Sequence, residues 1–429
     1  MVILGAQKRS FLRLVATLIS ILIAWPCPPY SLATASTLHN SSETDRQALL
    51  CLKSQLSSPA GALDSWRDDS LSFCDWRGVS CSGSKAARVV SLDLAELNIT
   101  GKIPPCIADL HFIDTIDMAY NQINGPIPPE IGKLTRLKYL NLSMNSITGR
   151  IPDSISFCSK LEVIRLINNS IEGEIPPSLA KLQFLQQIVL SNNNLGGRIP
   201  LGIGLLPKLQ YLFLPSNNLV GSIPESLGNS PSLAIVVLRN NSLTGGVPLM
   251  LANCSTLYYL DLMQNKLSGN IPSTLFNSTS LVTLDLSDNE FSGVIPSSSM
   301  MSPPIQYISL AKNNFSGVIP ATFGNFSFLS TLLLSENNLQ GSIPESLARI
   351  QVWEALDMAY NNLSGTVPQK LYNKTSLSYL GLGVNQLVGR IPSDIGNTLP
   401  NILLGIIMTW VCLELAAITF MSQPSLLLG

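Results

Sequence analysis

Ile116 to Pro128 reads IDMAYNQINGPIP, and Leu140 to Pro152 reads LNLSMNSITGRIP. The phrase returns at Leu284 to Pro296 as LDLSDNEFSGVIP and at Leu380 to Pro392 as LGLGVNQLVGRIP. Its proline falls at 104, 128 and 152 and continues at that same interval to 392, thirteen times without an insertion. The glycine three residues earlier is present each time, from Gly101 to Gly389, and an asparagine holds its place from Asn121 to Asn385. Only the first repeat departs, with Leu97 where the asparagine would stand.

The residue types follow from backbone needs. L-x-x-L-x-L turns alternate side chains of a short strand to opposite faces, leucines inward. An asparagine amide can satisfy loop carbonyls and N–H groups that would otherwise be buried unpaired, and a column of such asparagines makes a ladder. Glycine suits a positive-φ position, and Ile-Pro then runs extended. A chance leucine-rich helical protein is excluded, because Gly, Pro and Asn recur where helix interiors reject them. One repeat cannot bury its leucines alone, whereas stacked repeats bury them against each other. The pattern therefore predicts an α/β-type repeat fold: a right-handed leucine-rich-repeat solenoid of about 13 repeats of about 24 residues. Short parallel strands line its concave face, and a helical cap closes its N-terminal end.

The 429 residues divide accordingly. Residues 1–35 read as a secretory signal peptide: Lys8, Arg9 and Arg13 precede an apolar core from Leu14 to Trp25, and Ala33-Thr34-Ala35 offers a cleavage site. Residues 36–88 form the cap, with apolar helical spacing at Ala48, Leu49, Leu52 and Leu56 and Thr44 as expected helix N-cap. Cys74 and Cys81, seven apart around Trp76 and Gly78, are read as a disulfide in a secreted chain. Cys51 and Cys106 can pair or remain free on this reading. Cys158 and Cys254 stand where other repeats carry Leu110, Leu134 or Leu182, so they are expected as buried small hydrophobes. The solenoid spans 89–400. Residues 401–429 form a hydrophobic tail in which 402–421, apolar except for Glu414, are long enough to span a membrane. Repeat thirteen is left open unless those residues fold over it or enter a bilayer.

Charged residues make up 12% and the net charge is −1, which argues against nucleic acid or an anionic membrane surface as partner. Catalysis finds no support. The two histidines, His39 and His111, lack acidic or cysteine company, and no zinc spacing, phosphate loop or nucleophile elbow occurs. No cofactor or metal is implied. The recurrent Asp93, Asp117, Asp261, Asp285 and Asp357 belong to the L-D-L phrase and are read as repeat consensus. Sequons for N-glycosylation occur at Asn40, Asn98, Asn141, Asn168, Asn240, Asn253, Asn277, Asn314, Asn325, Asn362 and Asn373.

Outward strand positions lie six, four and two residues before each ladder asparagine. In repeats one, two, nine and twelve they hold Ser, Thr, Asp and Ala. Repeats four to eight differ, and place Arg165, Ile167, Val189, Tyr211, Phe213, Val237, Arg239, Tyr259 and Met263 side by side. Their spacing makes a strip of about 20–25 Å at one strand per repeat. An exposed apolar strip with aromatics and arginine has the composition of a binding surface, and the arginines suit an acidic group on the ligand. The sequence predicts that Phe213→Ala and Arg239→Ala weaken binding and leave melting unchanged.

The cap wording (ETDRQALLCLKSQL…SW…FCDWRGVSC) and the phrase L-x-x-L-x-L-x-x-N-x-L-x-G-x-I-P resemble the ectodomains of plant leucine-rich-repeat receptor-like kinases over roughly residues 43–401. The wording is most similar to the subgroup that includes receptors for bacterial patterns. The resemblance implies an extracellular module in signalling or defence that binds a peptide or protein ligand and recruits a co-receptor kinase. It also implies a place in the secretory pathway, at the plasma membrane or in the apoplast. No kinase glycine loop, catalytic Asp or magnesium-binding Asp occurs after the repeats, so kinase activity is not implied. The same repeat phrase leaves two alternatives: an inhibitor like those of plant polygalacturonases, and a non-functional receptor-kinase fragment.

Overall fold

The computed structural model describes residues 41–67, 72–83, 87–300, 302–392, 395 and 403–405. Residues 1–35, read above as a signal peptide, and Cys27, His39 and Asn40 lie outside them. The repeats divide into two compact units, Pro29–Ser268 and, on the C-terminal side, Gly269–Gly429.

In the first unit each repeat contributes one short strand at the expected place. Arg88–Asp93, Thr115–Asp117, Tyr139–Asn141, Val163–Arg165, Gln187–Val189, Tyr211–Phe213, Ile235–Val237 and Tyr259–Asp261 pair in parallel, each residue opposite its counterpart in the next repeat. The central residues of these strands, from Leu92 and Ile116 to Val236 and Leu260, point inward and are fully buried. The chain returns through single-turn 3-10 helices such as Pro129–Lys133 and Pro177–Lys181, each entered by an Ile-Pro pair. The second unit repeats the plan with Thr283–Asp285, Tyr307–Ser309, Thr331–Leu333, Ala355–Asp357 and Tyr379–Gly381. Further parallel strands follow the ladder positions in both units, among them Val220–Ser222 and Ser242–Gly245 in the first and Glu290–Val294, Asn314–Val318, Asn338–Ser342 and Asn362–Thr366 in the second.

The asparagine ladder bonds across coils rather than within one. Asn193 donates its amide to Leu166 O of the preceding coil at 2.8 Å, and to Leu190 O and Ser191 O of its own coil. Its Oδ1 accepts the Ile171 N–H of the preceding coil at 3.0 Å. The first coil, which lacks its own asparagine, is served by Asn121, whose Oδ1 accepts from Leu97 and Ile99. The residue before each ladder position has positive φ whatever its side chain, from Glu96 and Tyr120 to Tyr360 and Val384.

The cap is a helix, Ser41–Gln55, so Thr44 lies inside it rather than at its N-cap. Ala48, Leu49 and Leu52 are buried as the spacing predicts, and Leu56 begins a two-residue strand paired with Thr100 and Gly101. Gly101, at φ 115°, admits that approach: a Cβ there would lie 2.1 Å from Gln55 O. Asp45 ties the helix to the first strand, taking two hydrogen bonds from the Arg88 guanidinium and one from the Val89 N–H. Both possible disulfides are formed, Cys74–Cys81 and Cys51–Cys106. Trp66 stacks on Trp76, with ring centroids 5.7 Å apart. The antiparallel strand Val79–Ser82 covers the outer edge of the first repeat strand. Cys158 and Cys254 are free and buried, and burial pushes the Cys158 thiol up to about 12.

The C-terminal expectation needs correction. The strand series does not stop at Pro400, because Leu403–Gly405 pairs in parallel with Tyr379–Gly381, again one full repeat farther along the chain. A span over 402–421 would begin in residues that here belong to the sheet; the rest of it lies outside the described residues. Among the described residues no helix is long and apolar enough to cross a membrane.

Replacing Asn193 by Leu leaves the Ile171 N–H buried without a partner and Leu166 O with only the Asn169 amide, at a cost of roughly 1–3 kcal/mol. A melting temperature equal to wild type would contradict the ladder's role. Val384, β-branched at φ 56°, is strained there. Val384→Asn is expected to gain about 1 kcal/mol in chemical denaturation, and a loss of stability would refute the strain.

Candidate functional site

Of the nine residues singled out, Arg165, Val189, Tyr211, Phe213, Val237 and Tyr259 lie in adjacent strands of the first unit, and Ile167, Arg239 and Met263 follow the ends of theirs by two residues. Val163, Gln187, Tyr211, Ile235 and Tyr259 share one row, and Arg165, Val189, Phe213, Val237 and Asp261 the next. The structure brings them together as expected.

Their exposure differs from the expectation. Val189, Val237, Tyr259 and Phe213 retain only 1%, 4%, 3% and 8% of their surface. Strands about 4.8 Å apart bring large side chains of one row into lateral contact, so the strip packs against itself. Its accessible parts are Arg165, Ile167, Tyr211, Arg239 and Met263, all half-buried. Phe213→Ala therefore opens a cavity, and the expectation that it leaves melting unchanged is withdrawn.

The two arginines also differ. Arg239 lies 3.5 Å from Asp261, whose carboxylate is almost wholly buried. Its charge is thereby compensated, and Arg239→Ala would take the ion pair from a buried carboxylate. Arg165 donates from Nη2 to Gln187 Oε1 at 2.9 Å and lies over the Tyr139 ring at 5.7 Å. Its Nε is buried without a hydrogen-bond partner, and no carboxylate lies within ion-pair distance among the described residues. Arg165 thus makes no ion pair, and its charge acts at longer range on the Asp117 carboxyl.

The aspartates of the L-D-L phrase have structural work. Asp93, Asp117, Asp261, Asp285 and Asp357 each accept the N–H two residues on, at 3.0–3.2 Å. Asp117 also receives both amide bonds of Asn141. Burial holds the Asp117 and Asp357 carboxyls above the usual carboxylate range, against the pull of these bonds. Burial likewise raises Tyr139, opposed by Arg165, and takes Tyr379 to about 12.

The sequons separate by position. Asn98, Asn240, Asn253, Asn314, Asn362 and Asn373 are exposed, while Asn168, Asn277 and Asn325 are half-buried. Asn141 is buried on the strand face with its amide on Asp117, so the folded chain is unsuited to a glycan there. His111 sits exposed in a turn, away from the strip. No group of three His, Cys, Asp or Glu side chains that could hold a metal occurs among the described residues.

Residues 42–82 match the leucine rich repeat N-terminal domain, and nine segments between 113 and 350 match the Leucine Rich Repeat; together they cover more than half of the chain. The LRR receptor-like serine/threonine-protein kinase EFR of Arabidopsis thaliana is 47% identical over 75 residues, 17% of this chain and 7% of the relative. The solved complex of PEPR1 with AtPEP1 superposes with a TM-score of 0.73 at 32% identity, covering 84% of this chain and 54% of PEPR1. The receptor kinase HAESA of Arabidopsis, solved with the peptide hormone IDA and the co-receptor SERK1, gives 0.69 at 30% identity, over 86% and 65%. The chain belongs to the leucine-rich-repeat family. Within it, the repeats are homologous to the ectodomains of plant leucine-rich-repeat receptor kinases. The chain spans about half the length of PEPR1, and its matched stretch is a small part of EFR.

Asp117→Asn tests the buried carboxyl. Its folded-state pKa is raised, so the folded chain binds the proton more tightly than the unfolded one, and stability falls as pH rises through the interval between the two values. The amide keeps the bond from Ala119 and carries no charge. Its NH2 replaces one of the two oxygens that accept from Asn141, so the variant is expected to melt no higher than wild type at neutral pH and to show a flatter dependence on pH on the acid side. A parallel shift at every pH would point to a cause other than titration.

Proposed function

We propose that this chain is an extracellular ligand-recognition module of the receptor-like kind, non-catalytic, and that it binds a peptide or protein ligand across the strand-bearing face of repeats four to eight. The observation that carries the reading is Arg165. A guanidinium with a buried donor unsatisfied is costly in an unliganded surface. It lies beside half-buried Ile167 and close in register to Tyr211, which suits an acidic group followed by apolar ligand side chains. The departure from Asp, Ala, Ser and Thr in five adjacent coils supports the same location. Two disulfides and a leading secretory signal support an extracellular setting, with exposed sequons as glycan acceptors. That PEPR1 and HAESA were solved with peptides supports the ligand class, and the SERK1 complex of HAESA supports a co-receptor kinase as second partner.

A random peptide library panned against the secreted chain provides the test. Arg165→Gln is expected to weaken the selected peptides by roughly 1–3 kcal/mol with folding retained, and Met263→Ala to weaken them less. Asp93→Ala, on the consensus-like coils, is expected to change nothing. Selected peptides indifferent to both Arg165→Gln and Met263→Ala would place the site elsewhere.

A further inference from the structure

A second surface lies on the flank where each coil leaves its helical turn and enters its strand. Nine residues before the ladder position, six consecutive coils carry Arg88, Phe112, Arg136, Lys160, Phe184 and Lys208. The later coils carry no charge in that row, starting with Ser232 and Thr256. The cations hold the rings between them. Arg88 and Arg136 lie 4.0 and 4.9 Å from the centre of Phe112, and Lys160 and Lys208 lie 4.7 and 4.5 Å from that of Phe184.

Arg88 is neutralised by Asp45. Arg136, Lys160 and Lys208 are exposed and have no carboxylate within ion-pair distance among the described residues. Three residues earlier in each coil runs a neighbouring row, Lys133, Phe157, Lys181 and Leu205, all exposed; Phe157 keeps 63% and Leu205 66% of its surface. Of the acids on this flank, Asp114 pairs with Lys138, while Glu162, which accepts from Gln186, and Asp109, at the head of the second row, keep their charge. Sequons are missing from the two rows between residues 109 and 229, whereas the second row turns to the sequons Asn253, Asn277, Asn325 and Asn373 farther along.

We propose that this flank docks an extended, carboxylated polysaccharide, a linear polyuronate. A row of cations advancing with the coils, at about 4.8 Å per coil, matches a polymer whose charge repeats along a line. Exposed Phe157 and Leu205 offer carbon surface to the C–H faces of sugar rings, in alternation with lysines for the carboxylates. The phenylalanine contacts hold flexible cations in place before binding, which lowers the ordering cost. An acidic polypeptide would use the charges and leave the apolar row without a partner. This surface is separate from the strand-face strip.

The test uses the secreted, disulfide-intact chain with de-esterified polygalacturonate as probe, dextran as neutral control and polyglutamate as acidic control, followed by calorimetry at increasing salt. Wild type is expected to bind polygalacturonate with an affinity that falls as salt rises, to ignore dextran and to bind polyglutamate more weakly. The variant Arg136→Gln/Lys160→Gln/Lys208→Gln, altered only at exposed positions, is expected to melt as wild type and to lose about tenfold or more in affinity. Phe184→Leu keeps every charge and is expected to lose severalfold with its salt dependence retained. Arg165→Gln is expected to leave polygalacturonate binding unchanged, which separates this proposal from the peptide site. Failure of wild type to bind polygalacturonate at low salt, undiminished binding by the triple variant, or equal binding of polyglutamate would overturn it.

Discussion

Each coil of this protein depends on an amide supplied by the next one. A backbone turn made once in every repeat buries carbonyls and N–H groups that no strand pairing can reach. The ladder asparagine reaches back to satisfy them: Asn217 donates to Leu190 O and accepts from Leu195 N–H, as Asn193 does one coil earlier. The fixed period follows from this. An inserted residue would move the amide away from the groups it serves, and none is inserted between Pro104 and Pro392. The positive φ just before each asparagine aims the amide backwards, and that requirement outweighs side-chain preference at Tyr120, Met144 and Val384.

The same period decides what the surfaces can do. Stacking places like positions of successive repeats next to each other, so any residue kept over several coils becomes a row. On the strand face this produced lateral burial: Val189, Phe213 and Val237 share one row and retain little surface, and the accessible side chains are the half-buried ones at their margins. On the entering flank it set each ring between two cations, Phe112 between Arg88 and Arg136 and Phe184 between Lys160 and Lys208. Recognition on such a fold is written as rows, and affinity resides in few members of each row.

Much of this was legible in the sequence. The strand series, the ladder and the buried Cys158 and Cys254 follow from period and register, and the Cys74–Cys81 bridge from a seven-residue spacing in a chain read as secreted. The helix start was misplaced because Ser41 and Ser42 are as suited to opening a helix as Thr44. The Cys51–Cys106 bridge was undecided because sequence carries no distance between the cap helix and the first coil. Exposure of the strip was overestimated because period-2 reasoning separates inward from outward and says nothing of how wide neighbours shade each other. The last strand was overlooked because Leu403–Gly405 follows neither the asparagine nor the Ile-Pro of the phrase; it keeps only the spacing. Positive φ left no compositional trace, since Glu, Tyr, Met, Asn, Ser, Lys and Val all occupy that position.

The backward reach of the ladder also gives the chain a direction of assembly. Asn121 completes the coil that contains Leu97 and Ile99, and Asn385 completes the one that contains Leu363. A polypeptide emerging from the ribosome thus exposes every coil before the residue that finishes it has been made. The cap, pinned by Asp45 on Arg88 and by Cys51 on Cys106, is ready first. Winding then trails translation by one full turn, and each newly made asparagine locks the turn behind it.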